Sequence, residues 1–122
     1  MDKSDLKLRT KAFGLRNLKL VRNLPGDVPG RVVAQQLTRS ALSVGANYRS
    51  ACRARSRAEF LSKLGVVLEE ADESCHWLEI IVDDDMLPKK KIAALLQEGN
   101  ELTAIFFTAT STVRRGKSLP KS

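Results

Sequence analysis

From residue 60 to residue 82 the apolar side chains keep one spacing without a break. Phe60, Leu64, Val67, Ala71, Leu78 and Ile81, joined by Leu61, Leu68, Cys75 and Val82, recur at intervals of three and four, the period of one face of an α-helix. The other face is acidic, with Glu69, Glu70, Asp72, Glu73, Glu79 and Asp83. Ser56 stands where an N-cap belongs. Glu59, three residues on, completes a capping box in which each side chain satisfies a free backbone N–H. A helix over about 57–85 is ~43 Å long at 1.5 Å per residue. A rod of that length with one apolar stripe needs other long rods beside it.

The rest of the chain supplies three. A first helix runs from about Ser4 until Leu24-Pro25-Gly26 stops it, with Phe13, Leu20 and Leu24 on one stripe and Leu18 and Val21 beside it. Asp27 then caps a second helix with Pro29 in its first turn, reaching roughly Arg53. Its large apolar residues are Val33, Leu37, Val44 and Tyr48. A separate stripe of small residues (Ala34, Thr38, Ala41, Gly45, Cys52) lets a neighbouring backbone come close. Glycine costs about 1 kcal/mol relative to alanine in a helix interior, and close packing is a reason for Gly45 to be there. Leu87-Pro88 opens the fourth helix, with Asp83, Asp84 and Asp85 placed to face the positive end of its dipole. Ile92, Leu95, Leu96, Leu102, Ile105, Phe106, Ala109 and Val113 form its core face, and Gly116 ends it. Short connections between long helices force antiparallel neighbours. The expected fold class is all-α, an antiparallel up-down-up-down four-helix bundle forming one domain over 1–116, with a disordered basic tail over 117–122.

Composition closes off the alternatives. Aromatics are 5%, and seven glycines and four prolines are few for the turns and strands of an all-β domain. Cys52 and Cys75 make no disulfide framework. Met1 to Thr10 is too charged for the apolar region of a signal peptide, and no apolar run approaches the ~20 residues that span a bilayer. The expectation is a cytoplasmic protein with reduced thiols and no membrane partner.

Charge is distributed in blocks. Residues 1–57 carry 13 basic and 3 acidic groups, residues 58–87 carry 1 and 9, and residues 88–122 carry 7 and 2, for a net +7. A basic balance suits an acidic partner such as RNA or DNA. Arg49, Arg53, Arg55 and Arg57 crowd the junction of the second and third helices, with Tyr48 at one edge, and guanidinium forks suit phosphate oxygens. Arginines at a helix C-terminus also complement its dipole without any ligand. An acidic third helix among basic ones equally fits electrostatic pairing with a partner protein or a second subunit.

Two other constellations stand out. Glu73-Ser74-Cys75-His76 is an E-x-x-H pair of the kind di-iron bundles use twice, with Glu69 one turn earlier; His76 is the one histidine, so a metal site there needs several subunits. Trp77, Tyr48 and Phe107 fall near the edges of the core stripes, where aromatics anchor interfaces or pack the bundle's rim. No P-loop, dinucleotide glycine pattern or nucleophile triad occurs, and neither cysteine has a local base at nucleophile-like spacing. Enzyme activity and a cofactor are not expected.

The run Gln36-Leu37-Thr38-Arg39-Ser40-Ala41-Leu42-Ser43-Val44-Gly45-Ala46-Asn47, then Ser56, Glu59 and Phe60, then Glu69-Glu70-Ala71-Asp72-Glu73, resembles the pattern of a bacterial family of four-helix bundle proteins. Its first recognised members were encoded in intervening sequences of bacterial 23S ribosomal RNA genes. The likeness covers roughly residues 11–115. Where the family often has Glu-Gly after the asparagine, Arg49 to Cys52 resembles a common variant. The resemblance implies a left-handed antiparallel bundle assembled as a ring-like homo-pentamer, with no established enzymatic activity. Relatives include the accessory protein of diversity-generating retroelements, a basic pentamer that partners a reverse transcriptase and nucleic acid.

Together these give an expected non-enzymatic scaffold that contacts RNA or DNA through Arg39, Arg49, Arg53, Arg55 and Arg57 and assembles through Ala41, Gly45, Tyr48 and Trp77. A protein-interaction module without nucleic acid is the alternative. A metal-binding bundle using Glu69, Glu73 and His76 is the third.

Overall fold

The structure, a computed structural model, describes residues 1–117 and Leu119; the expected tail positions 118 and 120–122 lie outside the described residues. Four helices follow in order, α1 (Lys3–Val21), α2 (Val28–Ala51), α3 (Arg57–Asp83) and α4 (Lys89–Arg114), with no strand among the described residues.

Local hydrogen bonds explain the starts. The Asp2 carboxylate accepts from the Asp5 N–H at 2.8 Å, and the Asp5 carboxylate accepts from the Asp2 N–H at 3.4 Å, a capping box. Asp27 accepts from the Gly30 N–H at 2.9 Å and starts α2 as expected. Ser56 accepts from the Glu59 N–H at 3.1 Å. The reciprocal half of the expected box is missing, because the Glu59 carboxylate turns to Arg55, 4.0 Å away. Pro88 is the N-cap of α4 and offers no side-chain bond.

The three aspartates before it belong to the other helix. Asp84 is the C-cap of α3, and the Asp85 N–H donates to the Val82 carbonyl and the Met86 N–H to the Ile81 carbonyl, the paired bonds of a Schellman stop. The same pair, Gly116 to Val113 and Lys117 to Thr112, ends α4. Gly116 takes the required left-handed backbone at φ 78°, whereas α3 puts Asp85 there at φ 54°. A side chain in that region is strained, and a carboxylate at a helix C-terminus opposes the dipole. Asp85→Gly is expected to add about 1 kcal/mol to the unfolding free energy, or about 4 °C in Tm. Thermal unfolding checks it; a lower Tm would mean the Asp85 side chain holds the turn.

Each helix packs along the next one, and α1 returns to α4 through the least extensive contact of the four pairs. The α1–α2 pair is drawn together by glycine. A Cβ on Gly45 would lie 3.4 Å from the Thr10 and Lys11 backbone, and one on Gly14 3.3 Å from Leu42. The close packing expected of the small stripe is therefore α1 on α2 within one chain. The core draws on the expected stripes: Phe13 from α1; Val33, Leu37, Val44 and Tyr48 from α2; Leu64, Val67, Leu78 and Ile81 from α3; Ile92, Leu102, Phe106 and Val113 from α4. The expected Leu20, Leu24, Phe60, Leu96, Ile105 and Ala109 are only half-buried. Polar groups inside are hydrogen-bonded, except the Asn17 Oδ1, which is buried with no partner among the described residues. The Ser74 hydroxyl bridges α3 to the Ser40 hydroxyl of α2 at 2.9 Å, and Thr110 donates to the Phe106 carbonyl at 2.7 Å. Asn17 donates to the Phe13 carbonyl at 2.9 Å.

Two charged clamps tie helices across the surface. Arg9 of α1 presents a two-pronged guanidinium to Glu98 of α4, both bonds 2.7 Å, and reaches Glu101 at 2.8 Å. Arg39 of α2 reaches Glu70 at 3.1 Å and also Glu73, both on α3.

Candidate functional site

The antiparallel arrangement sends the C-termini of α2 and α4 and the N-termini of α1 and α3 to one end of the bundle. One side chain joins the parts of that end. The Arg57 guanidinium at the start of α3 donates to the Val113 carbonyl at 3.3 Å and to the Lys117 carbonyl at 3.0 Å, closing the C-terminus of α4. This bond sets Arg114, Arg115 and Lys117 beside the α2–α3 connection, where Arg53 and Arg55 are exposed. Two basic segments far apart in sequence become one basic end. Lys3 adds to it from α1, its ammonium 5.8 Å from the Phe60 ring centroid.

The cluster of arginines read from the sequence divides accordingly. Arg53 and Arg55 are both exposed at the basic end, Arg55 at 4.0 Å from the Glu59 carboxylate. Arg57 is spent on the α4 carbonyls, so its expected phosphate role gives way to a capping one. Arg39 lies in the middle of α2, away from the junction, and its guanidinium is held by Glu70 and Glu73. Arg49 faces a different feature, the outer surface of α1 and α2. Arg114, Arg115 and Lys117 join this candidate site unannounced by the sequence, where a basic run at a helix end is explained equally well by the dipole.

That outer surface carries a groove of about 530 Å³ between α1 and α2. Its apolar walls are unusual for an outer face: Leu8 is 70%, Leu15 51% and Leu42 44% exposed. Lys7, Lys11, Arg49 and Arg53 rim it, with Gly14, Gly45 and Ala46 along its floor. Leu8 and Leu15 lie one heptad apart on α1, on a face turned away from buried Phe13, a two-residue signal too short to read as a face.

The expected interface residues are mostly interior. Tyr48 is 4% exposed and stacks at a tilt on Phe106, ring centroids 5.3 Å apart, so it is a core residue, not a subunit anchor. Burial pushes its phenol up from the ordinary range. Ala41 is buried, and Gly45 sits against the α1 backbone. Trp77 is half-buried; its indole N–H donates to Glu73 at 3.0 Å and its ring meets exposed His76 edge-on at 4.9 Å. Phe107 is the aromatic that faces outward, at 63% exposure.

Glu73 of the metal reading is engaged by the same contacts. The Glu73 carboxylate accepts from Trp77 and Arg39, which hold it below the usual carboxylate range, and it is occupied rather than open to a cation. No group of three or more His, Cys, Asp or Glu among the described residues is arranged to hold one. Cys75 is buried against Gly99, 3.9 Å from the Thr103 hydroxyl, and burial pushes its thiol up to about 11. At neutral pH it is an uncharged packing group.

Among the described residues, no helix is long and apolar enough to cross a membrane. A family model described as 23S rRNA-intervening sequence protein matches residues 4–107. The chain is also similar to a crystal structure from Bacteroides thetaiotaomicron, of a protein with unknown function from the S23 ribosomal protein family. The two share 28% sequence identity and a TM-score of 0.83, over 92% of this chain and 100% of that one. No curated protein matches the chain.

Proposed function

The chain belongs to the 23S rRNA-intervening sequence protein family, and from that premise we propose that it is a cytoplasmic, self-assembling scaffold that holds RNA or DNA at its basic end and carries out no chemistry. The observation that supports this is the Arg57 bond to the Val113 and Lys117 carbonyls, which gathers Arg53, Arg55, Arg114, Arg115 and Lys117 onto one end of the bundle. Cations on a rigid end, without a cleft, bind phosphates in series and read no sequence. A ring, such as the pentamer that the family resemblance implies, would multiply that modest contact by avidity.

Fluorescence anisotropy with labelled short RNA and DNA tests the reading. About six phosphate contacts predict a loss of about 10³ in affinity between 50 and 200 mM salt. Arg55→Glu/Arg114→Glu/Arg115→Glu is expected to weaken binding at least about 100-fold at low salt and to flatten the salt slope. Arg57 is left in place because its loss would open α4. Absence of binding by the wild type at 50 mM salt, or an unchanged affinity in the triple variant, removes nucleic acid from this function.

The acidic face of α3 supports the protein-contact part of the reading. Glu69, Asp72, Glu79 and Asp83 are exposed and lie on one stripe, which repels phosphate and needs a cationic partner.

A further inference from the structure

We infer that the groove between α1 and α2 receives the acidic face of α3 from a second copy of this chain. The inference deepens the self-assembly part of the function proposed above and rests on it.

The groove is both apolar and one-signed. Three leucines project from its walls, and no carboxylate lines it. None of Lys7, Lys11, Arg49 and Arg53 forms an ion pair among the described residues. Two glycines at the α1–α2 contact bring the backbones close, so the valley between the helices is open to a ridge from outside. An exposed apolar strip rimmed by uniform charge marks a protein contact.

The opposite surface is on the same molecule. Glu69, Asp72, Glu79 and Asp83 recur at helical spacing along α3, exposed and without a salt-bridge partner among the described residues. Three carboxylates of α3 do have partners: Glu59 meets Arg55 at the helix start, and Glu70 and Glu73 point to Arg39 of their own chain. Val66 near one end of this ridge and the His76–Trp77 edge contact along it offer apolar surface to the leucines. The lengths agree: Glu69 to Asp83 spans ~21 Å, and the α2 wall from Leu42 to Arg53 spans ~17 Å, at 1.5 Å per residue. Lys7, Lys11 and Arg49 against this row of carboxylates set register and exclude a groove-to-groove pairing, where like charges would meet, while Arg53 at the groove's end belongs to the basic end.

Groove and ridge are different patches, so the contact is head-to-tail. Such a contact makes a ring when its rotation closes and a filament when it does not.

A charge swap tests the pairing, with oligomeric mass read by sedimentation velocity at about 100 mM salt, within the range where surface charges still act. The groove variant is Lys7→Glu/Lys11→Glu/Arg49→Glu and the ridge variant is Glu69→Lys/Asp72→Lys/Glu79→Lys, all at exposed positions and none in the Arg55, Arg114, Arg115 set. Each variant alone is expected to sediment as a single chain. Their equimolar mixture is expected to recover assemblies with an even number of chains, because only unlike neighbours now fit. If both variants assemble as the wild type does, this contact is wrong and self-assembly stands on another surface. If both come apart and the mixture stays apart, the pairing of these two surfaces is wrong. A wild type that remains a single chain at every concentration overturns this contact and the self-assembly reading together. Circular dichroism confirms folding; should a reversal unfold, Lys7→Gln/Lys11→Gln with Glu69→Gln/Asp72→Asn must each weaken assembly or the pairing fails.

Discussion

Phe13→Ala is expected to lower the unfolding free energy by about 3–5 kcal/mol, the cost of truncating a fully buried phenylalanine whose cavity cannot collapse. A domain of this size holds only about 5–15 kcal/mol in all. Phe13 has no solvent exposure, and its ring sits where a Cβ on Gly99 would lie 3.4 Å away. It is the side chain of α1 that fills the centre, against a position of α4 kept bare so that the ring fits. Neighbouring helices cannot close the gap, since a Cβ on Gly99 would also come within 2.8 Å of the Cys75 sulfur. Urea denaturation at constant m measures the loss. Arg16→Ala on the same helix is the control, expected to stay within about 0.5 kcal/mol because Arg16 faces outward. A cost below about 1 kcal/mol for Phe13→Ala would mean that the α1–α4 seam is not packed by this ring.

Gly30→Ala carries the second large effect. A methyl there would lie 2.0 Å from the Pro25 carbonyl oxygen, 2.8 Å from its carbon and 2.9 Å from the Asp27 carboxylate. Two of these atoms are backbone, and the third is the cap that accepts the Gly30 N–H. Relief requires rebuilding the α1–α2 turn or losing the cap. Overpacking and a lost N-cap together predict a loss of about 2–4 kcal/mol. Gly65→Ala, within α3 and with nothing within 4 Å of its added Cβ, is expected to go the other way, gaining about 1 kcal/mol. Opposite signs at two helical glycines would show that space, not propensity, decides each. Similar signs would place the α1–α2 turn elsewhere.

The sequence carried the helices because their period is local. The α3 stripe from Leu64 to Ile81 and the α4 stripe from Ile92 to Val113 are read from spacing alone, and most of their residues are buried, with Leu68, Leu96, Ile105 and Ala109 half-buried. Where two explanations share one local pattern, spacing could not choose. Asp83 to Asp85 suit the start of α4 as well as the end of α3; what decides is the left-handed backbone at Asp85. Tyr48 sits four residues after Val44, at a position that is core or rim depending on how far α4 leans in, and Phe106 settles it. The arginines show the same limit more sharply. Arg53, Arg55 and Arg57 alternate along one connection and read as one patch, but Arg57 turns inward to carbonyls of a helix that begins 32 residues later. Arg39 falls beside Glu70 and Glu73 only because α2 and α3 pack side by side. Arg114 and Arg115 join the basic end by the same kind of tertiary pairing, which no local pattern announces.

Every helix leans most on its neighbours in the chain, and α1 touches α4 least. The order in which this bundle can form follows. Turns of six residues or fewer close α1 on α2, α2 on α3 and α3 on α4, each a short search with little chain entropy to lose. The α1–α4 seam is different, since Arg9 and Phe13 must wait for a partner that is made last. A nascent chain can thus bury two seams before α4 emerges and a third as α4 folds back on α3, while the α1–α4 seam is zipped shut last.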